Sequence, residues 1–271
     1  MPKLPVDEIV PALARIGYDS LELTVIPGWS TELDSMDANE RLRIRALIRE
    51  HGLGLPAIAG HRPLLATDPA VHAENWRRLR DTIDLAVEWA GPAGPPVLDT
   101  TAGGKSEEWD AVKARLVEET GKLCDTAAAA GVTVAIEPHV HEALETPDRV
   151  LWLIEQVARP NLKLTFDISH FNVIGLPIEE TVPKLAPHSA FTHVKDERGV
   201  VPDFEFLIPG EGVFDYVKYL KYMQAAGYQG DIGVEISLMV QRRPDYDAIA
   251  AAEQSYRVLD KAFRDAGIER T

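Results

Sequence analysis

Apolar residues recur along this chain with two alternating periodicities, which predict a regular succession of helices and strands. Stretches with helical spacing are separated by short apolar runs, and glycines such as Gly52 and Gly131 stand where a helix has to stop. The predicted helices are Val6–Ile16, Asn39–Glu50, Val71–Trp89, Glu107–Ala130, Pro147–Val157, Ile178–Leu185, Phe214–Ala226 and Tyr246–Ala266. The predicted strands are Ser20–Val25, Gly54–Ala59, Pro96–Thr100, Val132–Glu137, Leu162–Asp167, Ala190–Val194 and Ile232–Ile236. This alternation is typical of a parallel sheet covered by helices.

The predicted helices outnumber the predicted strands by one, and the first predicted element is a helix. The length of 271 residues is close to the ~250 residues of an eight-fold β/α barrel, and no linker or low-complexity tract divides the chain. We therefore expect a single (β/α)8 TIM-barrel domain over residues 1–271 whose first β-strand is missing from the N-terminus. Either the true start lies upstream and supplies this strand, or the first position is open or filled by another segment. We favour the upstream start, because an open barrel exposes two unpaired edges.

The amino-acid composition and net charge indicate which binding partners and which cellular compartment to expect. The net charge of −15, from 28 basic and 43 acidic residues, argues against nucleic acid or an anionic membrane as the main partner. The N-terminal sequence lacks the hydrophobic region of a signal peptide, and no run approaches the ~20 apolar residues of a membrane span. The single cysteine, Cys124, excludes an intramolecular disulfide, and its Ala-rich surroundings favour a small buried helix residue. We expect a cytoplasmic protein.

Four residues that could bind a metal stand near the ends of four successive predicted strands. Their local sequences are VTVAIEPH, LKLTFDISH, AFTHVKD and DIGVEIS, and the residues are Glu137, Asp167, His193 and Glu235. Each follows a run typical of a buried strand, where an unpaired charge is costly. Each gap along the chain can hold one crossover helix, so the four groups converge if their strands are parallel neighbours. The pattern predicts a metal centre at the carboxyl-terminal mouth of the barrel.

The residue types indicate which ion the centre would hold. Three carboxylates in one pocket repel one another strongly without a cation. Three oxygen ligands and one imidazole suit Mn²⁺, Mg²⁺ or Co²⁺ better than a thiolate-rich zinc site would, although Zn²⁺ also accepts such a set. We expect one divalent ion, with Mn²⁺ favoured.

Further polar residues near the same strand ends are candidates for catalysis or substrate binding. Residues two apart near a strand end face the same way, so His139 and His141 are expected to continue an inward ladder from Glu137. Lys195 and Arg198, in HVKDERG, could hold a sugar hydroxyl or a phosphate, and a solvated loop charge is the alternative.

Four more candidates each have a structural alternative. His170, beside Asp167, is a metal ligand, a substrate contact or a structural hydrogen-bonding group, and substrate contact is favoured. Glu22 in DSLELTV is expected to face inward at the mouth, in a catalytic or a structural role. Trp29 could stack on a sugar face, with core packing as the default, and His61 could approach the metal region.

The segments TVAIEPH, TPDRVL, LTFDISHF, THVKD, PGEGVFDY and VEIS resemble the xylose-isomerase-like barrel superfamily of sugar isomerases and epimerases. The resemblance covers nearly the whole chain and is strongest over residues 132–260. It implies that Glu137, Asp167, His193 and Glu235 hold one divalent metal, commonly Mn²⁺ or Co²⁺, as in the ketose 3-epimerases of this superfamily. It also implies that the two glutamates exchange the substrate proton, and that His170 and Arg198 contact the substrate.

The expected chemistry is proton abstraction next to a carbonyl through a metal-stabilised enediolate, with Glu137 or Glu235 as general base. Returning the proton to the opposite face gives epimerisation, and returning it to the adjacent carbon gives isomerisation. A leaving group on the β carbon would instead make the enzyme a lyase or dehydratase. Two features favour that alternative, with a 3-oxo-glycoside or an inosose-like ketone as the substrate. The segment EPHVHE supplies extra imidazoles, so that His139 could act as a separate acid–base residue, and ERGVVPDFEFLIPGEG is expected to form a long loop over the pocket.

Two remote alternatives belong to other functional classes. AP endonucleases of the same superfamily use three zinc ions, but LDTTAGG and Asp203-Phe204-Glu205 stand where two of their histidine-containing segments would be. A non-catalytic barrel would be expected to have lost a metal ligand, and none is lost. We expect a small-molecule sugar or sugar derivative as substrate, with a homo-oligomer or a partner subunit as further alternatives.

Overall fold

The computed structural model of this protein describes residues 4–270, and its centre is a curved sheet of parallel strands. The strands are β1 Leu23–Thr24, β2 Ala57–Ala59, β3 Val97–Thr101, β4 Val134–Glu137, β5 Leu162–Asp167, β6 Ser189–Val194, β7 Asp196–Val200, β8 Asp203–Leu207 and β9 Ile232–Val234. Seven of them form the parallel sheet in the order β1-β2-β3-β4-β5-β6-β9, and β7 pairs with β8 in an antiparallel hairpin. Consecutive neighbours in a parallel sheet put all their carboxyl ends at one edge.

Helices follow the strands of the sheet and cover its outer face. They are α1 Val6–Ile16, α2 Ala38–Glu50, α3 Pro69–Glu88, α4 Trp109–Ala128, α5 Pro147–Val157, α6 Ile168–Asn172, α7 Ile178–Leu185, α8 Tyr216–Ala225, α9 Leu238–Gln241 and α10 Ala248–Ala266. Aspartates cap several of them; for example, Asp68 Oδ1 accepts hydrogen bonds from the backbone N–H groups of Ala70 and Val71. The described helices include none long and apolar enough to cross a membrane.

The predicted succession of elements is confirmed. All eight predicted helices and all seven predicted strands occur, with bounds that differ by no more than three residues. Cys124 is completely buried in α4, as expected, and burial raises the pKa of its thiol to about 12.

The segment predicted as a long loop folds instead into the β7–β8 hairpin. Phe206 and Leu207 of this hairpin are buried, whereas Asp203 and Glu205 point to solvent, so one of its faces packs down on the barrel. The hairpin therefore covers part of the mouth as an ordered structure.

The two edges of the sheet support the expectation of a barrel that lacks one strand. Among residues 4–270, β1 pairs only with β2 and β9 only with β6, so the seven strands do not close into a ring. Ser20 Oγ donates a hydrogen bond to Asp231 Oδ1 (2.6 Å) near the amino ends of the two edge strands. Above this contact a cavity of about 1080 Å³ lies between them, and β9 remains only half-buried. The cavity extends upward to the carboxyl-terminal mouth.

Candidate metal centre

The four predicted metal ligands converge at the carboxyl-terminal edge of the sheet. Glu137 ends β4, Asp167 ends β5, His193 lies near the end of β6, and Glu235 directly follows β9. Each residue offers one ligand atom, and these four atoms lie within 4.8 Å of one another. Glu137, Asp167 and His193 are almost completely buried, whereas the side chain of Glu235 is 34% exposed. The register places them together, since Asp167 pairs with His193 and His193 with Gly233.

His193 is held between two carboxylates. Its Nδ1 lies 2.9 Å from Glu137 Oε1 and 3.9 Å from Glu235 Oε2, so this nitrogen faces the cluster. Its Nε2 lies 2.8 Å from Glu22 Oε2. A metal-binding histidine commonly has its second nitrogen bonded to a carboxylate, which fixes the ring and its tautomer. Glu22 therefore orients the one imidazole of the set.

Lys195 is a buried cation among the same carboxylates. Its Nζ lies 2.8 Å from Asp167 Oδ2, contacts Glu235 Oε2, and sits 4.7 Å from the ring centre of Phe206. The side chain is 2% exposed, because the next residues turn into the hairpin that covers it. Burial opposes its charge, but the two carboxylates hold the pKa of Lys195 above its usual value. This residue is fixed in the centre of the site.

The pKa values of the carboxylates depend on which cation each one faces. Burial opposes ionisation of Glu137, but His139 and His193 hold its pKa well below the usual value. Burial likewise opposes ionisation of Glu235, and Lys195 keeps its pKa low. Burial raises the pKa of Asp167 despite the nearby Lys195. Its Oδ1 accepts a hydrogen bond from the backbone N–H of Ser169, and Oδ2 has no aligned hydrogen-bond donor.

A column of aromatic rings forms one wall of the site. His139 Nε2 lies 2.7 Å from Glu137 Oε2, and its ring stacks on His170 at 4.3 Å between ring centres. His170 in turn meets the edge of Phe206 at 5.1 Å. Burial, His139 and Lys195 together hold the pKa of His170 well below its usual value. His170 is therefore neutral at physiological pH.

The remaining predicted site residues divide into two groups. Glu22, Trp29 and His61 line the cavity of about 1080 Å³, as do His139, His193 and Glu235. His141 and Arg198 lie outside the cluster of metal ligands. The expected ladder stops at His139, because the chain turns there; His141 has a positive φ and a side chain that is 61% exposed. Arg198 lies on the exposed part of the hairpin and donates a hydrogen bond to the backbone oxygen of Glu211.

Asp99 is a buried polar residue of the site that the sequence prediction missed. It lies inside β3, is completely buried, and its Oδ2 is 2.7 Å from His61 Nε2. Burial raises the pKa of Asp99 to about 6. Burial alone would lower the pKa of His61, but the neighbouring Asp99 carboxylate has the larger effect and raises the pKa of His61 to about 10. The signal was present in the sequence, since a charged residue interrupts the apolar run of VLDTT as it does in LKLTFD.

Comparisons with known proteins agree with the barrel fold. The family model for a xylose isomerase-like TIM barrel matches residues 10–262. The chain is 27% identical to an uncharacterized protein from Methanocaldococcus jannaschii over 66% of this chain and 64% of that protein. It is 25% identical to inosose dehydratase from Geobacillus thermodenitrificans over 54% of this chain and 52% of that protein. It is 23% identical to fructoselysine 3-epimerase from Shigella flexneri over 97% of this chain and 96% of that protein. Thus the chain spans less than two thirds of the length of the first two relatives.

A solved structure shows the same fold. The 3-keto-D-glucoside 4-epimerase from E. coli superposes with a TM-score of 0.76 at 16% identity, covering 96% of this chain and 95% of that one. At this identity the likeness concerns the architecture alone.

Proposed function

This chain belongs to the xylose isomerase-like TIM barrel family, and from that premise we propose that it is a divalent-metal-dependent isomerase or epimerase of a sugar or sugar derivative. The observation that carries the proposal is the convergence of Glu137, Asp167, His193 and Glu235 at the mouth of the barrel. Relatives along the chain include a sugar-derivative epimerase and an inosose dehydratase, which supports a small carbohydrate as the substrate class.

The residues present fit a divalent ion. The set has three carboxylates and one imidazole, and Glu22 holds the far nitrogen of His193. Mn²⁺ suits this oxygen-rich set best, and Co²⁺, Mg²⁺ and Zn²⁺ are accepted by similar sets. When bound, such an ion polarises a carbonyl oxygen and acidifies the neighbouring C–H bond.

In this proposal Glu235 accepts the proton from the substrate carbon. It is the most exposed of the three carboxylates and it lines the cavity, whereas Glu137 is buried against His139 and His193. The contact with Lys195 keeps Glu235 ionised and therefore able to accept a proton. A low pKa also weakens a general base, so positioning of the substrate has to supply much of the rate enhancement.

His139 and Glu137 form the second acid–base pair. The 2.7 Å contact between His139 Nε2 and Glu137 Oε2 lets a proton held on the imidazole pass towards the carboxylate or towards a substrate in the cavity. Return of the proton from this side, after removal by Glu235, inverts the carbon and gives epimerisation. Return to the adjacent carbon gives isomerisation.

A lyase or dehydratase is the second candidate, and the His61–Asp99 contact favours it. His61 lines the cavity on the other side of Glu137, with Nε2 3.5 Å from Glu137 Oε2. An elimination needs a proton donor for the departing oxygen in addition to the base, and His61 and His139 are two such donors. The substrates of this candidate are a 3-oxo-glycoside or an inosose-type ketone.

Proton NMR in D₂O tests the proposal and separates the two candidates. The Mn²⁺-loaded protein is incubated with ketoses, inososes and 3-oxo-glycosides, and the metal is removed before spectra are recorded. Solvent deuterium in a recovered or rearranged sugar, without loss of a group, is the expected result. Release of water or an aglycone would replace the epimerase assignment with the lyase.

A matched pair of variants tests the role of Glu235. Glu235→Gln should abolish deuterium exchange while the far-ultraviolet circular dichroism spectrum stays that of the wild type. Glu253→Gln, on the exposed face of α10, should leave exchange unchanged. An active Glu235→Gln protein would refute the assigned role.

A further inference from the structure

The ammonium group of Lys195 lies between the oxygens of two candidate metal ligands. Its Nζ is 2.8 Å from Asp167 Oδ2 and 2.5 Å from Glu235 Oε2. The same oxygen of Glu235 lies 3.9 Å from His193 Nδ1, the nitrogen that faces the other ligands. The four candidate ligand atoms lie within 4.8 Å of one another, so an ion bound by them has this ammonium group as an immediate neighbour.

One oxygen of Asp167 is already in use. Oδ1 accepts hydrogen bonds from the backbone N–H (2.9 Å) and the hydroxyl group (2.6 Å) of Ser169, and the first of these bonds caps α6. Oδ2 is the oxygen that Lys195 contacts. A metal ion that binds Asp167 through Oδ2 therefore shares this oxygen with the ammonium group.

The hairpin keeps Lys195 in this position. The next residue is fixed by its side chain, because Asp196 Oδ2 accepts a hydrogen bond from Gly210 N–H (2.8 Å) and Oδ1 accepts one from Phe214 N–H (2.9 Å). The side chain of Lys195 is 2% exposed, and its Nζ lies 4.7 Å from the ring centre of Phe206. The ammonium group cannot reach water unless the hairpin moves, so its charge remains close to a bound ion.

We propose that Lys195 competes with the metal ion for these carboxylate oxygens and makes the site prefer divalent over trivalent ions. Its positive charge offsets part of the negative charge that attracts an ion to Asp167 and Glu235. Coulomb energy scales with the product of the charges, so a trivalent ion is repelled about 1.5 times as strongly as a divalent ion at the same position. The inference rests on the metal centre of the proposed function and adds a residue that limits which ion this centre accepts.

Titration calorimetry tests the proposal without an activity assay. The full chain is stripped with EDTA, freed of the chelator and titrated with Mn²⁺ and separately with Tb³⁺, another hard cation that takes oxygen ligands. Lys195→Met should bind Mn²⁺ about 10–100-fold more tightly than the wild type does, which is the size of effect that groups next to metal ligands commonly have. A tenfold gain for Mn²⁺ corresponds to a gain of about thirtyfold for Tb³⁺, because the repulsion that is removed scales with the charge of the ion.

Two further variants accompany Lys195→Met. Lys195→Gln removes the charge and keeps a hydrogen-bond donor for the carboxylates, so it preserves the site if the methionine variant does not fold, and it should also tighten the binding of both ions. Lys218→Met is the matched control on α8, where Lys218 is partly exposed and pairs with Glu179. This control should bind both ions as the wild type does.

The outcomes distinguish this inference from the proposed function. If the wild type binds Mn²⁺ and the Lys195 variants bind it equally well or more weakly, the competition is overturned and the metal centre stands. Equal gains for Mn²⁺ and Tb³⁺ would overturn the preference for divalent ions. Binding by the variants but not by the wild type would support the competition and overturn the metal requirement of the proposed function. Absence of binding in every protein would overturn both.

Discussion

Replacing Lys195 with methionine tests whether this buried ammonium stabilises the metal-free site. Lys195 Nζ is 2.8 Å from Asp167 Oδ2 and contacts Glu235, and the side chain is 2% exposed. Methionine has a comparable length and no charge, so the substitution leaves two carboxylates without their cation. Removing one partner of a buried ion pair costs about 3–5 kcal/mol.

That free energy converts to a measurable change in melting temperature. The entropy of unfolding near the midpoint is ~2.1 cal/mol/K per residue, or about 0.6 kcal/mol/K for 271 residues. The expected fall in the Tm of the EDTA-treated protein is therefore about 5–9 °C. In excess Mn²⁺ the fall should be smaller, because an ion bound to Asp167 and Glu235 supplies positive charge to the same oxygens.

Differential scanning fluorimetry of both proteins, with EDTA and with Mn²⁺, measures the effect. Lys218→Met is the matched control, since Lys218 pairs with Glu179 on the surface, where such a pair contributes about 0–1 kcal/mol. An equal fall in Tm with and without Mn²⁺ would show that Lys195 acts through packing, and no fall in EDTA would refute the electrostatic reasoning.

Three further predictions concern the stability of other elements and are measured by chemical denaturation. Burial raises the pKa of Glu197 from 4.5 to about 8 in the folded protein. The free energy of unfolding of the wild type therefore falls as the pH rises between these values, because the buried carboxyl group has to ionise. Glu197→Gln should be about 4–5 kcal/mol more stable than the wild type at pH 9 and equal to it near pH 4. A constant difference between the two proteins at all pH values would contradict this assignment. Phe206→Ala should cost about 3 kcal/mol, because the ring is 5% exposed and packs on His170; a cost below about 1 kcal/mol would mean that the hairpin does not pack there in solution. Asp68→Ala should cost about 1 kcal/mol through loss of the cap of α3, and Asp68→Asn should restore most of it.

The order of elements and the convergence of four candidate metal ligands could be predicted from the sequence because both depend on local patterns. The periodicity of apolar residues marks each strand and helix, and alternation of the two implies a parallel sheet. Glu137, Asp167 and Glu235 were found because each is a charge at the end of an apolar run, and parallel strands bring such ends to one edge. Asp99 carries the same signal within VLDTT but was missed, because it lies inside its strand instead of at the end.

Contacts between distant segments could not be predicted in this way. The pairing of β7 with β8 brings Lys195 and Phe206 to the site. Lys195, for which a solvated loop charge was one expectation, is therefore a buried partner of Asp167. The turn after Glu137 separates His141 from His139, although the two residues are equally spaced along the chain.

The sequence by itself thus determined which residues end up at the mouth of the barrel, because strand periodicity and parallel connection decide that edge without reference to the rest of the fold. Only the tertiary structure decided which atoms meet there. Three contacts join residues on different strands and loops: His61 with Asp99, Glu22 with His193, and Lys195 with Glu235. Such distances depend on how the sheet curves and how its loops pack, and these are properties of the whole core.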